Sequence, residues 1–170
     1  MDGAQWLAAC HAQPEKAFAQ WEQAPFLARL PAGRRFDALR VHQPLGLTVL
    51  WELGDDAGKV PVLEEHAPPR PVFYILTQPG SADDWPQTQD DAVLLGAGTE
   101  LSVPSPHADD ITGVQQHTYM WRVPPDGSGR LADPDVLRAA LDLARDTDRQ
   151  AARIRAARSV FYGAKHARQK

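Results

Sequence analysis

Fifteen prolines in a chain of 170 residues point to many turns and extended connections, since each fixes φ and removes a backbone donor. A chain of this length accommodates one compact core. Trp6, Leu7 and Cys10, then Ala17, Phe18 and Trp21 after Pro14, recur at helical spacing and predict one or two short helices with aromatic core anchors. The Pro31 to Gly33 turn between two apolar runs predicts a β-hairpin. Pro44 to Leu53 predicts a short helix, with Leu45, Leu47, Leu50 and Trp51 at helical spacing, Pro44 in its first turn and Gly54 just past its end.

Further along, VPVL and RPVFYIL read as strands, being β-branched or aromatic runs bounded by Pro and Gly. A polar loop carrying Trp85 follows, reaching to Asp91 and with room for a short helix. Val93 to Val103 and His117 to Val123 predict two more strands joined by a long polar connection. Asp133 caps a helix opened by Pro134, with Val136, Leu137, Ala140, Leu141 and Ala144 as its apolar stripe. Beyond Ala144 the stripe fades into an Ala- and Arg-rich segment whose bulky residues are Ile154, Val160, Phe161 and Tyr162. Helical as far as Tyr162, this element would span about 43 Å at 1.5 Å per residue, so its end should project, dock elsewhere or fray. The expected architecture is α+β, a mixed or antiparallel sheet flanked by helices with a long C-terminal helix. Residues 1–148 form the domain and 149–170 a basic helical extension.

The net charge of −4 conceals a segregation. Residues 1–148 carry 11 Lys and Arg against 22 Asp and Glu, whereas Arg149, Arg153, Arg155, Arg158, Lys165, Arg168 and Lys170 follow with no acid among them. No apolar run approaches the roughly 20 residues that cross a bilayer, and the first residues lack a signal peptide's basic and apolar regions, so a cytoplasmic protein is expected. Cys10 is the lone cysteine, which excludes an internal disulfide or a thiolate metal cluster and favours a buried, idle thiol.

Four stretches, PEKAFAQWEQAPFLARLPAGRRFDALRV, LGLTVLWEL, LLGAGTELSVPSP and HTYMWRVPP, occur in an order that resembles the N-terminal domain of bifunctional DNA primase/polymerases of the archaeo-eukaryotic primase type, from about Pro14 to Leu143. The resemblance implies a primase/polymerase-like sheet. In that family a tryptophan helix and a Pro-Phe segment, here Trp21 with Pro25 and Phe26, lead to a strand Phe-Asp-x-x-Asp-x-Asp whose last two aspartates bind the catalytic metals. The strand here begins at Phe36 and Asp37, and the metal positions fall on Arg40 and His42. A third metal aspartate, placed by the anchors Gly96, Gly98, Pro104 and Ser105, falls on Val93. The phosphate-contacting histidine and its glycine-rich turn have no counterpart around Phe73 in APPRPVFYIL. Divalent ions require hard oxygen ligands, and two-metal phosphoryl transfer depends on the ions to stabilise the attacking and leaving oxygens. The resemblance therefore implies a catalytically inactive binding or assembly module with no cofactor, whose old cleft involves Asp37, Phe73, Gly96, Gly98, Ser105 and His107.

Other constellations are weaker. His107, Asp109, Asp110 and His117 sit on or beside one loop and could hold a transition metal, although a solvated loop is the simpler and favoured explanation. His42 with Asp37 and Glu52 could form an acid/base pair, but on a strand Asp37 and His42 face opposite ways. Ser105, His107 and Asp109 lack a nucleophile elbow, and Gly96 to Gly98 lacks the lysine and helix of a P-loop. The basic residues Arg149, Arg153, Arg155, Arg158 and Lys165 could neutralise phosphates in a nucleic-acid-binding accessory protein, or pair with the acidic body of this or another chain. A solvated helix end or such pairing is favoured over nucleic acid, because the acidic body repels a polyanion. A third reading, an enzyme with recruited chemistry on His42 or His107, has no specific support.

Overall fold

The alternation of Ala38, Leu39, Arg40 and Val41 decides the architecture, because a strand turns successive side chains to opposite faces and here both faces are covered. The computed structural model describes residues 1–66, 69–86, 91–107 and 118–167, with side chains described as far as Ala156. It is an α+β fold of two antiparallel sheets and four α-helices among the described residues. In chain order these are α1 (Gly3–Ala8), α2 (Pro14–Trp21), β1 (Leu27–Pro31), β2 (Asp37–His42), α3 (Gln43–Leu53), β3 (Val62–Glu65), β4 (Val72–Thr77), β5 (Ala92–Leu95), β6 (Glu100–Pro104), β7 (Tyr119–Val123) and α4 (Pro134–Ala167). Five strands pair in the order β5-β2-β4-β3-β7, and β1 with β6 makes a separate ribbon.

One face of the larger sheet presents Leu39, Val41, Val62, Phe73, Ile75, Ala92 and Leu94 to α3 and α4. The other presents Ala38, Leu63, Val72, Tyr74 and Leu76 to α1, α2 and the β1–β6 ribbon. The central strand β4 is buried along its whole length, which accounts for its unbroken apolar run VFYIL. Cys10 is fully buried within the second cluster.

The hairpin expected around Gly33 does not form. Strand β1 pairs with β6, Leu27 opposite Pro104 and Pro31 opposite Glu100, while both edges of β2 are occupied by β4 and β5. The turn instead carries the chain from one sheet to the other. Ala32 N–H donates to Thr99 O at 3.0 Å, and Gly33 (φ +84°) comes so near Ala97 that a β-carbon would lie 2.5 Å from its Cα. The strand expected over Val93 to Val103 is likewise divided, at Gly96 to Thr99, into β5 and β6 of different sheets.

Helix α3 has Pro44 in its first turn and Gly54 at its end (φ +57°), but a different face turned inward. Leu45, Gly46, Val49 and Leu53 are buried, while Leu47 and Trp51 are exposed, Trp51 to 82%. Gly46 sets that face, since only a residue without a side chain fits against Phe73 and Val41. Ala17 is the buried residue of α2, with Phe18 edge-on to Trp21, whose Nε1 donates to Val103 O at 3.0 Å.

Helix α4 begins where Asp133 Oδ1 accepts from the backbone of Asp135 (2.9 Å) and Val136 (3.1 Å). The segment before it is tied to the end of β4 by Ala132 N–H to Leu76 O and Thr77 Oγ1 to Ala132 O. Leu137, Ala140, Leu141 and Ala144 bury the first turns, while Val136 is exposed. Arg145 then pairs with Asp91 at 2.8 Å, and from Asp146 to Ala156 every residue except Ala151 is exposed. The helix runs unbroken to Ala167, about 51 Å at 1.5 Å per residue, so the basic extension continues the domain's own last helix.

Candidate functional site

Strands β2, β4 and β5 bring three residues into one row across the sheet. Arg40 stands directly opposite Val93 on one side and Tyr74 on the other. His42 follows on the same face, opposite Val72, and its backbone N–H donates to Asp91 O at 3.1 Å. Arg40, His42 and Val93, where the resemblance expects metal aspartates, therefore lie together on the face toward α1, α2 and the β1–β6 ribbon. All three side chains are half-buried.

The row continues through β3 and β7. Glu65 lies opposite Val72 and Tyr119, and Leu63 opposite Tyr74 and Trp121. Tyr74 donates its hydroxyl to Glu65 Oε2 at 2.5 Å, and Tyr119 donates to Glu65 Oε1 at 3.1 Å. Burial and the adjoining carboxylate push both phenols up, Tyr119 to about 12, while the Arg40 guanidinium acts the other way on Tyr74. Trp121 closes the row by donating Nε1–H to Pro104 O at 3.0 Å.

This face has little to hold a metal with. Glu65 is its carboxylate, and each of its oxygens already accepts a hydrogen bond from a tyrosine hydroxyl, while the Arg40 guanidinium acts on Tyr74. Among the described residues no group of three or more His, Cys, Asp or Glu is placed to hold an ion. His42 Nδ1 is buried without a hydrogen-bond partner, the one unsatisfied polar atom in the row.

The other cleft candidates do not gather here. Asp37 and Phe73 are fully buried toward α3 and α4 or the loop beside them, because their odd positions turn them from Arg40. Asp37 Oδ2 accepts from Ala82 N–H at 2.9 Å, and a β-carbon on Gly96 would lie 3.6 Å from both its carboxylate oxygens. Asp37 thus ties the 80–85 loop to β2 and lies beside Gly96, with Oδ1 unpaired. Phe73 carries Gly46 against one part of its ring and the Arg122 guanidinium 5.6 Å from its centroid. Gly98 is exposed at φ +87°, Ser105 is half-buried and accepts from His107 N–H at 3.3 Å, and His107 is exposed. Glu52 lies exposed on α3, apart from both Asp37 and His42. Asp109, Asp110 and His117 fall outside the described residues.

On α4, Arg149, Arg153 and Arg155 are exposed. Arg158 and Lys165 lie on the same helix, outside the described side chains. Among the described residues no helix is long and apolar enough to cross a membrane.

Sequence reasoning missed Glu65, Tyr74 and Tyr119, and also a buried carboxylate at the sheet's other face. Glu64 is 3% exposed and accepts from Arg122 at 2.6 Å and lies 3.0 Å from His66 Nε2. The one available signal was the Glu-Glu-His end of β3, an acidic pair where a strand should be apolar. Comparison of the chain with protein-family models, curated proteins and solved structures finds no match.

Proposed function

We propose that this chain is a catalytically inactive module of the primase/polymerase type, which binds or assembles through the sheet face around Arg40. The observation that carries the reading is the direct pairing of Arg40 with Val93. The resemblance expects carboxylates at two positions far apart in sequence, and metal ligands from two motifs must meet in space to share ions. Here those positions are cross-strand neighbours, yet they present a guanidinium and an isopropyl group.

The chemistry follows from charge. A guanidinium at a metal position repels a divalent ion and offers donors only, and Val93 offers no lone pair. Without the ions, nothing in the row stabilises both oxygens of an in-line displacement. Glu65 cannot substitute without surrendering two tyrosine hydroxyls in a half-buried setting. The same groups suit recognition: Arg40, the His42 ring and the Tyr74 and Tyr119 hydroxyls can position a polar ligand or partner segment.

The test is primer synthesis and primer extension by the purified chain with Mg²⁺ or Mn²⁺. Products no greater than those of a no-protein control are expected. Metal-dependent nucleotide incorporation above that control, lost in Arg40→Ala, would end the reading.

A further inference from the structure

Helix α4 separates charge from its counter-charge. Among the described residues its last fully buried side chain is Ala144 and its last ion pair with the body is Arg145–Asp91, after which the helix continues without a break. From Arg149 to its end it carries five cations, Arg149, Arg153, Arg155, Arg158 and Lys165, and no acid, while residues 1–148 have an excess of eleven acids. An unbroken helix cannot fold back upon the body from which it projects. Arg149 pairs with Asp146 one turn back, whereas Arg153 and Arg155 form no ion pair among the described residues.

A complementary surface lies on α3. Trp51 is 82% exposed and Leu47, one turn earlier on the same face, 45%. Exposed Glu52, Asp55 and Asp56 follow, of which Asp56 has a partner in Lys59. Ile154, 49% exposed, sits between Arg153 and Arg155 and presents the matching arrangement, an aliphatic side chain flanked by guanidinium groups.

We propose that a second copy of this chain covers Trp51, the basic half of α4 of each copy lying along α3 of the other about a two-fold axis. Such an exchange is isologous, so two copies close it and no tail is left unpaired. Trp51 would pack on Ile154, with an arginine over the indole face and the remaining arginines against Glu52 and Asp55. The acidic excess of the body favours this occupant over a polyanion, which it would repel. The proposal stands on α3 and α4 and does not rest on the reading of the sheet face.

The test is the mass of the full chain by sedimentation or light scattering across a salt series, beside Trp51→Glu and the triple variant R149E/R153E/R155E. All four positions are exposed, and circular dichroism checks that each variant keeps its fold. Twice the chain mass is expected at low salt, falling toward one as the Debye length shrinks from about 10 Å at 0.1 M to about 3 Å at 1 M. Both variants should have a single-chain mass at every salt. A single-chain mass for the unaltered chain throughout, or a dimer that survives Trp51→Glu, overturns the proposal. So does saturable, salt-sensitive binding of a short DNA duplex to a monomeric chain that the triple variant loses, which would assign the tail to nucleic acid. Should the triple variant misfold, the salt series and Trp51→Glu decide.

Discussion

Gly46 on α3 stands so close to Phe73 on β4 that a β-carbon there would lie 2.7 Å from the ring Cδ2 and 3.1 Å from Val41 Cγ1. Two effects then oppose each other in Gly46→Ala. Alanine favours the helix by about 1 kcal/mol, while overpacking a full core costs about 1–3 kcal/mol. Phe73 is fully buried and has nowhere to move, so packing wins. A net loss of about 1 kcal/mol is expected, seen as a lower urea midpoint with unchanged slope. A raised midpoint would mean that the ring yields.

Two leucines on α4 should separate anchoring from exposure. Leu141 is 2% exposed within the α3–α4 core, and Leu143 is 53% exposed. Leu141→Ala should cost about 2–5 kcal/mol, and Leu143→Ala should stay within about 0.5 kcal/mol. Thermal or urea unfolding of both variants measures the difference. Equal losses would mean that Leu143 is covered in solution.

The tyrosines of the sheet face predict an alkaline limit. Tyr119 is raised from the ordinary 10.0 to about 12, and Tyr74 is raised as well. The folded state thus holds phenolic protons more tightly than the unfolded chain, and the associated stability is fully present below about pH 10. It is lost as pH rises from there through the folded values. Unfolding midpoints should fall above pH 10, and phenolate absorbance should appear late in the native protein. In Glu65→Gln the absorbance should appear earlier, because burial remains but the carboxylate is gone.

Cys10 should be inert. Its thiol is fully buried, donates weakly to Trp6 O at 3.5 Å, and is pushed up to about 12 mainly by burial. A disulfide reagent at pH 8 should modify the native chain negligibly and the urea-unfolded chain stoichiometrically. Rapid native labelling would place Cys10 in an opening segment.

What could be read from the sequence was local. The Asp133 cap, Pro134, the Leu137–Ala144 stripe and Gly54 all act within a few residues of themselves, and each has the expected role. The choice of strand partner is not local. A Pro–Gly turn at 31–33 serves a hairpin or a crossing between sheets equally well, and only occupied edges on β2 decide. Trp51 fits the helical spacing as well as Val49, but the inward face is chosen by Gly46, whose signal is the side chain it lacks. The Arg40–Val93 juxtaposition likewise depends on strand partners far apart in sequence. Glu65, Tyr74 and Tyr119 required the register of three strands, which no single segment records.

The crossing at Gly33 has a kinetic consequence. Segments 27–42 and 92–104 run antiparallel throughout, first as β2 with β5 and then, beyond a corner where residues 32–37 stand opposite 96–99, as β1 with β6. The two sheets therefore share one bent ribbon. Bringing β2 to β5 closes the loop of residues 43–91 and delivers β1 to β6 with almost no further loss of chain entropy. The β2–β5 and β1–β6 pairings should therefore form together in one cooperative step.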